Sequence, residues 1–507
     1  MKAMPATLRM RFLLVSVLLR AAQAWAGLFR SSLYGRAFGG KSYRVWMASE
    51  EFGFDGPFDF ETVAEQPPEE AYPWQLAVSK GLVVMALRIP LDRDERWTSI
   101  AALDEVYTVL GQPETRRRTG DDWTDAAFLR LRRDGPHAHW VRRAEDGRYI
   151  VDYRELLTDL PVYPGRRLEP CALRWTGQDE RPEIAIAGRW RTPADADWPE
   201  ARRLFHLAEV HVHEAVSHLL WTHLFSEGVI IAVVQHLSPG HPIREVLAPH
   251  FAFTLQANQN SGKVLLGKGG VFDRLFSCGW AGAAELFVRG DRAWRYSRMV
   301  PRLDIAERDV ADLPDYPWRE DALLVWDVVE AHARRALAPL AGLDASKSAV
   351  DEAKAWATAM HAARGDRGWP ACEDQDTLVE IVAACVFLTV RHTLVNAQQY
   401  PMYGYPPLWQ ASMPAPAASS APATTSSTAS SPDHLRLAQL PTIGQTLDTM
   451  RATFAFSIQY NTLLSTQDAQ FRTDLEVAGR AIAARDAARP HPYRVAHPAV
   501  LSASLNA

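Results

Sequence analysis

Residues 206–223 read HLAEVHVHEAVSHLLWTH and hold five of the 16 histidines in a chain of 507 residues: His206, His211, His213, His218 and His223. Apolar residues continue at helical spacing on both sides, so the stretch is read as the middle of a long helix over 204–236. His218 and His223 stand five apart. On an ideal α-helix that separates them by roughly 140° and keeps them from sharing one ion. A π-type widening, with i→i+5 bonding, brings them onto one face, and such turns are frequent at functional sites. Further on, VFLTVRHTLVNAQQY (386–400) sets His392 and Asn396 four apart, on one face of a second helix. Two helices can then present three imidazoles and one amide oxygen to a single point. Nitrogen and neutral-oxygen donors without thiolate suit iron, manganese or copper better than a structural zinc site.

The other histidines are read as scaffold. His206, His211 and His213 have no partner visible in the sequence, and His236, His241 and His250 lie near helix breaks, the last two beside Pro242 and Pro249. HEAVSH (213–218) differs from the zinc-protease HExxH by one residue, which leaves its glutamate wrongly set for that mechanism.

Composition bounds the rest. With 47% hydrophobic and 23% charged residues the chain can bury a large core, and a net charge of -5 gives no electrostatic case for nucleic acid. Cys171, Cys278, Cys372 and Cys385 show no CxxC spacing and are read as buried free thiols. No uncharged apolar run reaches about 18 residues, so no membrane span is expected; peripheral membrane contact stays open, and a monomer is expected. At the start, Lys2, Arg9 and Arg11 precede FLLVSVLL (12–19), and Ala24-Trp25-Ala26 has the form of a cleavage site, with Arg20 interrupting. Two readings stand for 1–26: a secretory leader, giving a periplasmic or secreted protein, or an amphipathic first helix of a cytoplasmic one.

Residues 27–507 are expected to form one mainly α catalytic domain with little β structure. Residues 50–73 read as a long surface connection and 414–432 as a flexible low-complexity insertion. The pattern over 74–110 is helical, RYIVDY (148–153) is strand-like, and helices are predicted over 204–236, 321–342, 348–363, 375–397, 443–465 and 468–487.

Taken in order, several blocks resemble the lipoxygenase family. WPEARRLFHLAEVHVHEAVSHLLWTHLFSE (198–227) resembles the segment carrying the first two iron histidines, at His218 and His223. HLSPGHPIREVLAPHFAFTLQAN (236–258), DYPWREDALLVWDVVE (315–330) and GDRGWP (365–370) resemble three further blocks. RHTLVNAQQYPMYGYPP (391–407) resembles the segment with the third histidine and the asparagine ligand, at His392 and Asn396. In the family the C-terminal carboxylate, usually of Ile, completes the set. PYRVAHPAVLSASLNA (492–507) puts Ala507 there and Ala503 at the usual Asn. Ala can supply the same main-chain oxygen but not the anchoring side chain.

The resemblance implies one non-haem iron ion that takes a hydrogen atom from a polyunsaturated fatty acid with a cis,cis-1,4-pentadiene. Molecular oxygen then traps the delocalised radical, giving a lipid hydroperoxide. It also implies that Glu214 and Gln399 orient ligands from behind, and that Leu265 packs over the pentadiene. Ser261 stands where Ala or Gly governs the side of oxygen attack, with Gly262 in place of an Arg, so stereochemistry does not carry over. The stretch ahead of Trp123 is too short for the family's N-terminal β-sandwich plus the full start of its catalytic domain, which points to a minimal bacterial-type form. Two other readings remain beside the dioxygenase: an iron-deficient lipid-binding descendant and a different histidine-based metalloenzyme.

Overall fold

The computed structural model describes residues 4–29, 72–91, 93–98, 102, 106, 124–177, 181–341, 346–362, 368–396, 411–415, 441–456, 458–493 and 495–505. Its main helices are α1 (Ala6–Phe29), α2 (Trp74–Arg88), α3 (Asp125–Asp134), α4 (Trp198–His236), α5 (Pro242–Phe251), α6 (Thr254–Ser261), α7 (Gly279–Ala293), α8 (Pro317–Ala341), α9 (Lys347–Ala362), α10 (Gln375–Asn396), α11 (Ile443–Phe456) and α12 (Ala469–Ala488). The mainly helical expectation holds.

Among the described residues, one five-stranded sheet lies before α4: β1 (Arg142–Arg143), β2 (Tyr149–Asp152), β3 (Cys171–Trp175), β4 (Glu183–Ile186) and β5 (Arg189–Arg191). They form an antiparallel meander in chain order, with Val151 opposite Leu173 and Leu173 opposite Ile184. Ala187 and Gly188 both take positive φ, 50° and 74°, in the two-residue β4–β5 turn, as a turn matched to strand twist requires.

The centre of the molecule is the pair α4 and α10. In α10, Leu378, Val379 and every residue from Ile381 to Asn396 are buried, as expected of a helix apolar all round. α4 opens with Trp198 and Pro199, where proline costs no hydrogen bond, and changes pitch over His213–Leu224, a 12-residue π-helical segment. α7 lies against this segment through Gly290. A Cβ there would come within 2.8 Å of Val216 and 2.9 Å of Leu220, while Trp221 Nε1 donates to the Gly290 carbonyl at 2.9 Å. The widened helix is thus packed in place by a glycine that permits close approach.

Among the described residues, three helices are long and apolar enough to cross a membrane: Ala6–Phe29, Trp198–His236 and Gln375–Asn396. The expectation of none is corrected on that measure, because it demanded runs without any charge. The apolar windows of α4 and α10 are 94% buried inside the fold and that of α1 only 33%, so the first two are core helices. α1 packs on α2, where Trp25 Nε1 donates to the Gln75 carbonyl at 2.8 Å and Ser79 Oγ to the Ala22 carbonyl at 3.0 Å.

The predicted helix over 443–465 ends at Phe456. Residues 458–462 form no regular secondary structure, and this stretch receives the C-terminal segment. Leu463 N donates to Leu501 O at 2.8 Å, and Gln459 Nε2 donates to Val500 O. The first helix of the pattern over 74–110 ends at Arg88; in its second part Ala102 and Val106 are helical, and most of the rest lies outside the described residues. Of the expected surface connection 50–73 and insertion 414–432, only 72–73 and 414–415 fall within the described residues. Cys171, Cys278 and Cys385 are buried free thiols as read, while Cys372 is half-buried.

Candidate metal centre and cavity

The π-helical pitch does what the five-residue step demanded. His218 and His223 turn to the same side, ring centroids 5.1 Å apart, and His392 from α10 meets them at 5.2 Å and 4.7 Å. Their nearest ring nitrogens lie within 4.8 Å of one another, with His218 Nε2 and His392 Nε2 at 3.2 Å. Glu214, one turn earlier, accepts from His218 Nδ1 at 3.3 Å. That bond turns the lone pair of Nε2 toward His392.

Burial holds the His223 and His392 imidazoles neutral, well below the ordinary histidine range, and the neighbouring imidazoles act in the same direction. Neutral imidazole nitrogens aimed at one point are the form in which histidine binds a metal. Asn396, a turn beyond His392 and buried, lines the same cavity as His218 and His223. Nitrogen donors with an amide oxygen nearby and no thiolate fit an iron-type ion.

The tail runs toward this point. Leu501, Ser502, Ala503, Ser504 and Leu505 are all buried. Ser502 N donates to Thr393 Oγ1 at 2.9 Å, next in sequence to His392. Ala503 N donates to Asn461 Oδ1 at 3.1 Å, and its carbonyl accepts from His250 Nδ1 at 2.9 Å. Leu505 N donates to the His250 carbonyl at 3.3 Å. Ala507 and Gln399 lie outside the described residues.

Two chambers open beside the histidines. The first, partly open to solvent, is walled by α2, α4, α6 and the turn after it. The second shares Glu214, Leu219, Leu265 and Leu266 with the first, so Leu265 stands where the two meet. Ser261 lines the first chamber, and Gly262 is buried at the start of a short π turn, Gly262–Leu266.

Among the wall residues that escaped the sequence reading are Tyr72, Lys80 and Tyr460. Lys80 Nζ lies 4.4 Å from the centre of the Tyr460 ring, and desolvation brings its ammonium down to about 7. Its only signal in the sequence is a lone cation inside AVSKGLVVMAL (77–87).

His206, His211 and His213 are buried, and each has a partner after all. His206 Nδ1 meets Glu209 at 3.2 Å, His211 Nδ1 donates to Leu207 O at 2.7 Å, and His213 Nε2 donates to Val395 O at 2.8 Å. The last bond ties α4 to α10 one residue before Asn396. Glu209 also takes Arg132 Nη2 at 2.8 Å, both side chains fully buried. Burial pushes that carboxyl up to about 7 against the pull of Arg132. His241 accepts from Ile243 N at 3.2 Å as the cap of α5.

The family model described as Lipoxygenase matches residues 177–466, more than half of the chain. The rat "Arachidonate 12-lipoxygenase, 12R-type" is 32% identical over 299 residues, 55% of this chain and 42% of that protein. The Pseudomonas aeruginosa "Linoleate 9/13-lipoxygenase" is 30% identical over 306 residues, 53% of this chain and 43% of that one. The chain thus spans less than half the length of these curated relatives. Among solved structures, a calcium-dependent 11R-lipoxygenase has a TM-score of 0.77 at 18% identity, covering 94% of this chain and 80% of that one. A lipoxygenase in complex with arachidonate has 0.73 at 19%, covering 90% and 80%; these likenesses concern the fold. On the match to its family model, this chain belongs to the lipoxygenase family.

Proposed function

We propose that the chain is a non-haem iron dioxygenase that converts a polyunsaturated fatty acid to its hydroperoxide. The observation that carries this reading is the convergence of three imidazoles beside two adjoining, largely apolar chambers. His218, His223 and His392 would hold the iron, with the Asn396 amide oxygen and the Ala507 carboxylate completing the set. When bound, the iron supplies one-electron chemistry that removes a hydrogen atom from a bis-allylic carbon. The protein supplies the rest. Glu214 orients His218, and Gln399 is assigned the matching role on the α10 side. Leu219, Leu265 and Leu266, at the junction of the chambers, hold the acyl chain against the metal and keep water away. Ser261, on the wall of the first chamber, and the adjacent Gly262 shape the path of oxygen. The relatives named for arachidonate and linoleate support an 18- or 20-carbon substrate class.

The test is incubation of the iron-loaded protein with linoleate in air. Conjugated-diene absorbance should grow in step with oxygen consumption. An iron-replete protein that binds linoleate and does neither would instead be a lipid-binding member that has lost the reaction.

A further inference from the structure

Of the eleven large apolar side chains that stand exposed among the described residues, eight lie on α1 and α2. On α1 they include Met10 at 68%, Leu14 at 50% and Val17 at 61% exposure; on α2 they are Trp74 at 57%, Val78 at 41% and Met85 at 57%. Met10, Leu14 and Val17 follow the i, i+4, i+7 stripe of one helix face, as do Trp74, Val78 and Met85 at i, i+4, i+11. An apolar area concentrated on one hairpin marks a contact surface rather than scattered exposure.

Within the two helices the exposed charges are one-sided. Neither Ala6–Phe29 nor Trp74–Arg88 contains an aspartate or glutamate, while Arg9, Arg11, Arg20 and Arg88 are cationic; Lys80 faces the cavity instead. Apolar side chains flanked by cations, with Trp74 at the edge, are what an anionic lipid surface attracts and admits. The other side of α2 faces inward, where Lys80, Val83, Val84 and Leu87 line the first chamber. One helix therefore has the external apolar face on one side and the cavity on the other.

We propose that the α1–α2 face docks on the surface of a bilayer carrying anionic headgroups, and that the chain takes its acyl substrate from that surface past α2. The second half rests on the dioxygenase reading; the docking does not.

Flotation of the full chain with phosphatidylglycerol vesicles, and with phosphatidylcholine vesicles beside them, tests it. The protein should float with the anionic vesicles, lose most of that binding in high salt, and bind neutral ones weakly. The double variant V17D/M85D, changed only at exposed positions, should bind anionic vesicles at least about tenfold more weakly. It should keep its melting temperature and its rate on monomeric linoleate, and lose rate on linoleate presented in vesicles. Failure of the parent to float overturns the docking, as does a double variant that floats as well as the parent. A vesicle-free dimer that the double variant breaks, with no flotation, would mean that a second copy covers the face. Flotation without diene formation would leave the docking standing and sink the dioxygenase reading instead.

Discussion

Asn461→Ala should loosen the metal without touching any group assigned to bind it. Asn461 Oδ1 accepts from Ala503 N at 3.1 Å, and the carbonyl of the same residue accepts from His250. Ala503 is fully buried, so no solvent replaces the lost acceptor. A buried donor left unsatisfied costs about 1–3 kcal/mol. If the Ala507 carboxylate binds iron, that cost falls on the arrangement in which tail and iron are both seated. It then appears as a coupling between the two, weakening iron binding about 5- to 150-fold. Competition against a chelator, with metal content read after equilibration, measures this directly. Gln459→Ala serves as the comparison: it removes a bond to Val500, further from the chain end, and should weaken iron binding less. An Asn461→Ala protein with a lowered melting temperature but the parent's iron affinity would refute the reasoning, since the tail would then be seated without regard to the metal.

Glu214→Ala removes the acceptor for His218 Nδ1 and should reduce iron affinity about 10- to 100-fold, while Glu214→Gln, which keeps an acceptor, should stay close to the parent in the same competition. Gly290→Ala drives a methyl into Val216 and Leu220 on the π segment and should lower stability by about 1–3 kcal/mol in denaturant unfolding; an unchanged midpoint would show that the segment can move away freely. Burial keeps His211 neutral down to about 4, whereas the unfolded chain takes up that proton below about 6.5. The unfolded state therefore binds more protons in this window, and the stability present above it is lost as pH falls through it, by about 3 kcal/mol. Urea midpoints measured between those pH values should fall more steeply for the parent than for His211→Leu; equal slopes would contradict the burial argument.

The helices were legible where one face or all faces are apolar over many residues, as in α4, α10 and α12. The sequence reading erred where another segment competes for the backbone. The pattern from 443 remains helical in composition beyond Phe456, but 458–463 gives up its own bonds to hold the tail. The pairing of His218 with His223 was readable because a five-residue step excludes an ordinary helix, and His392 with Asn396 because a four-residue step suits one. Lys80 and Tyr460 were not readable. They come from segments far apart in sequence, and only folding sets the Lys80 ammonium over the ring. The same holds for the buried Arg132–Glu209 pair, which looks in sequence like two surface charges.

The central claim is that a π-helical turn in α4 brings His218 and His223 to one ion with His392. Anomalous diffraction at the iron edge from crystals of the iron-loaded protein tests it most directly. The account predicts one strong peak within bonding distance of a ring nitrogen from each of the three histidines. A peak elsewhere, or one that only two of the three imidazoles reach, would contradict it.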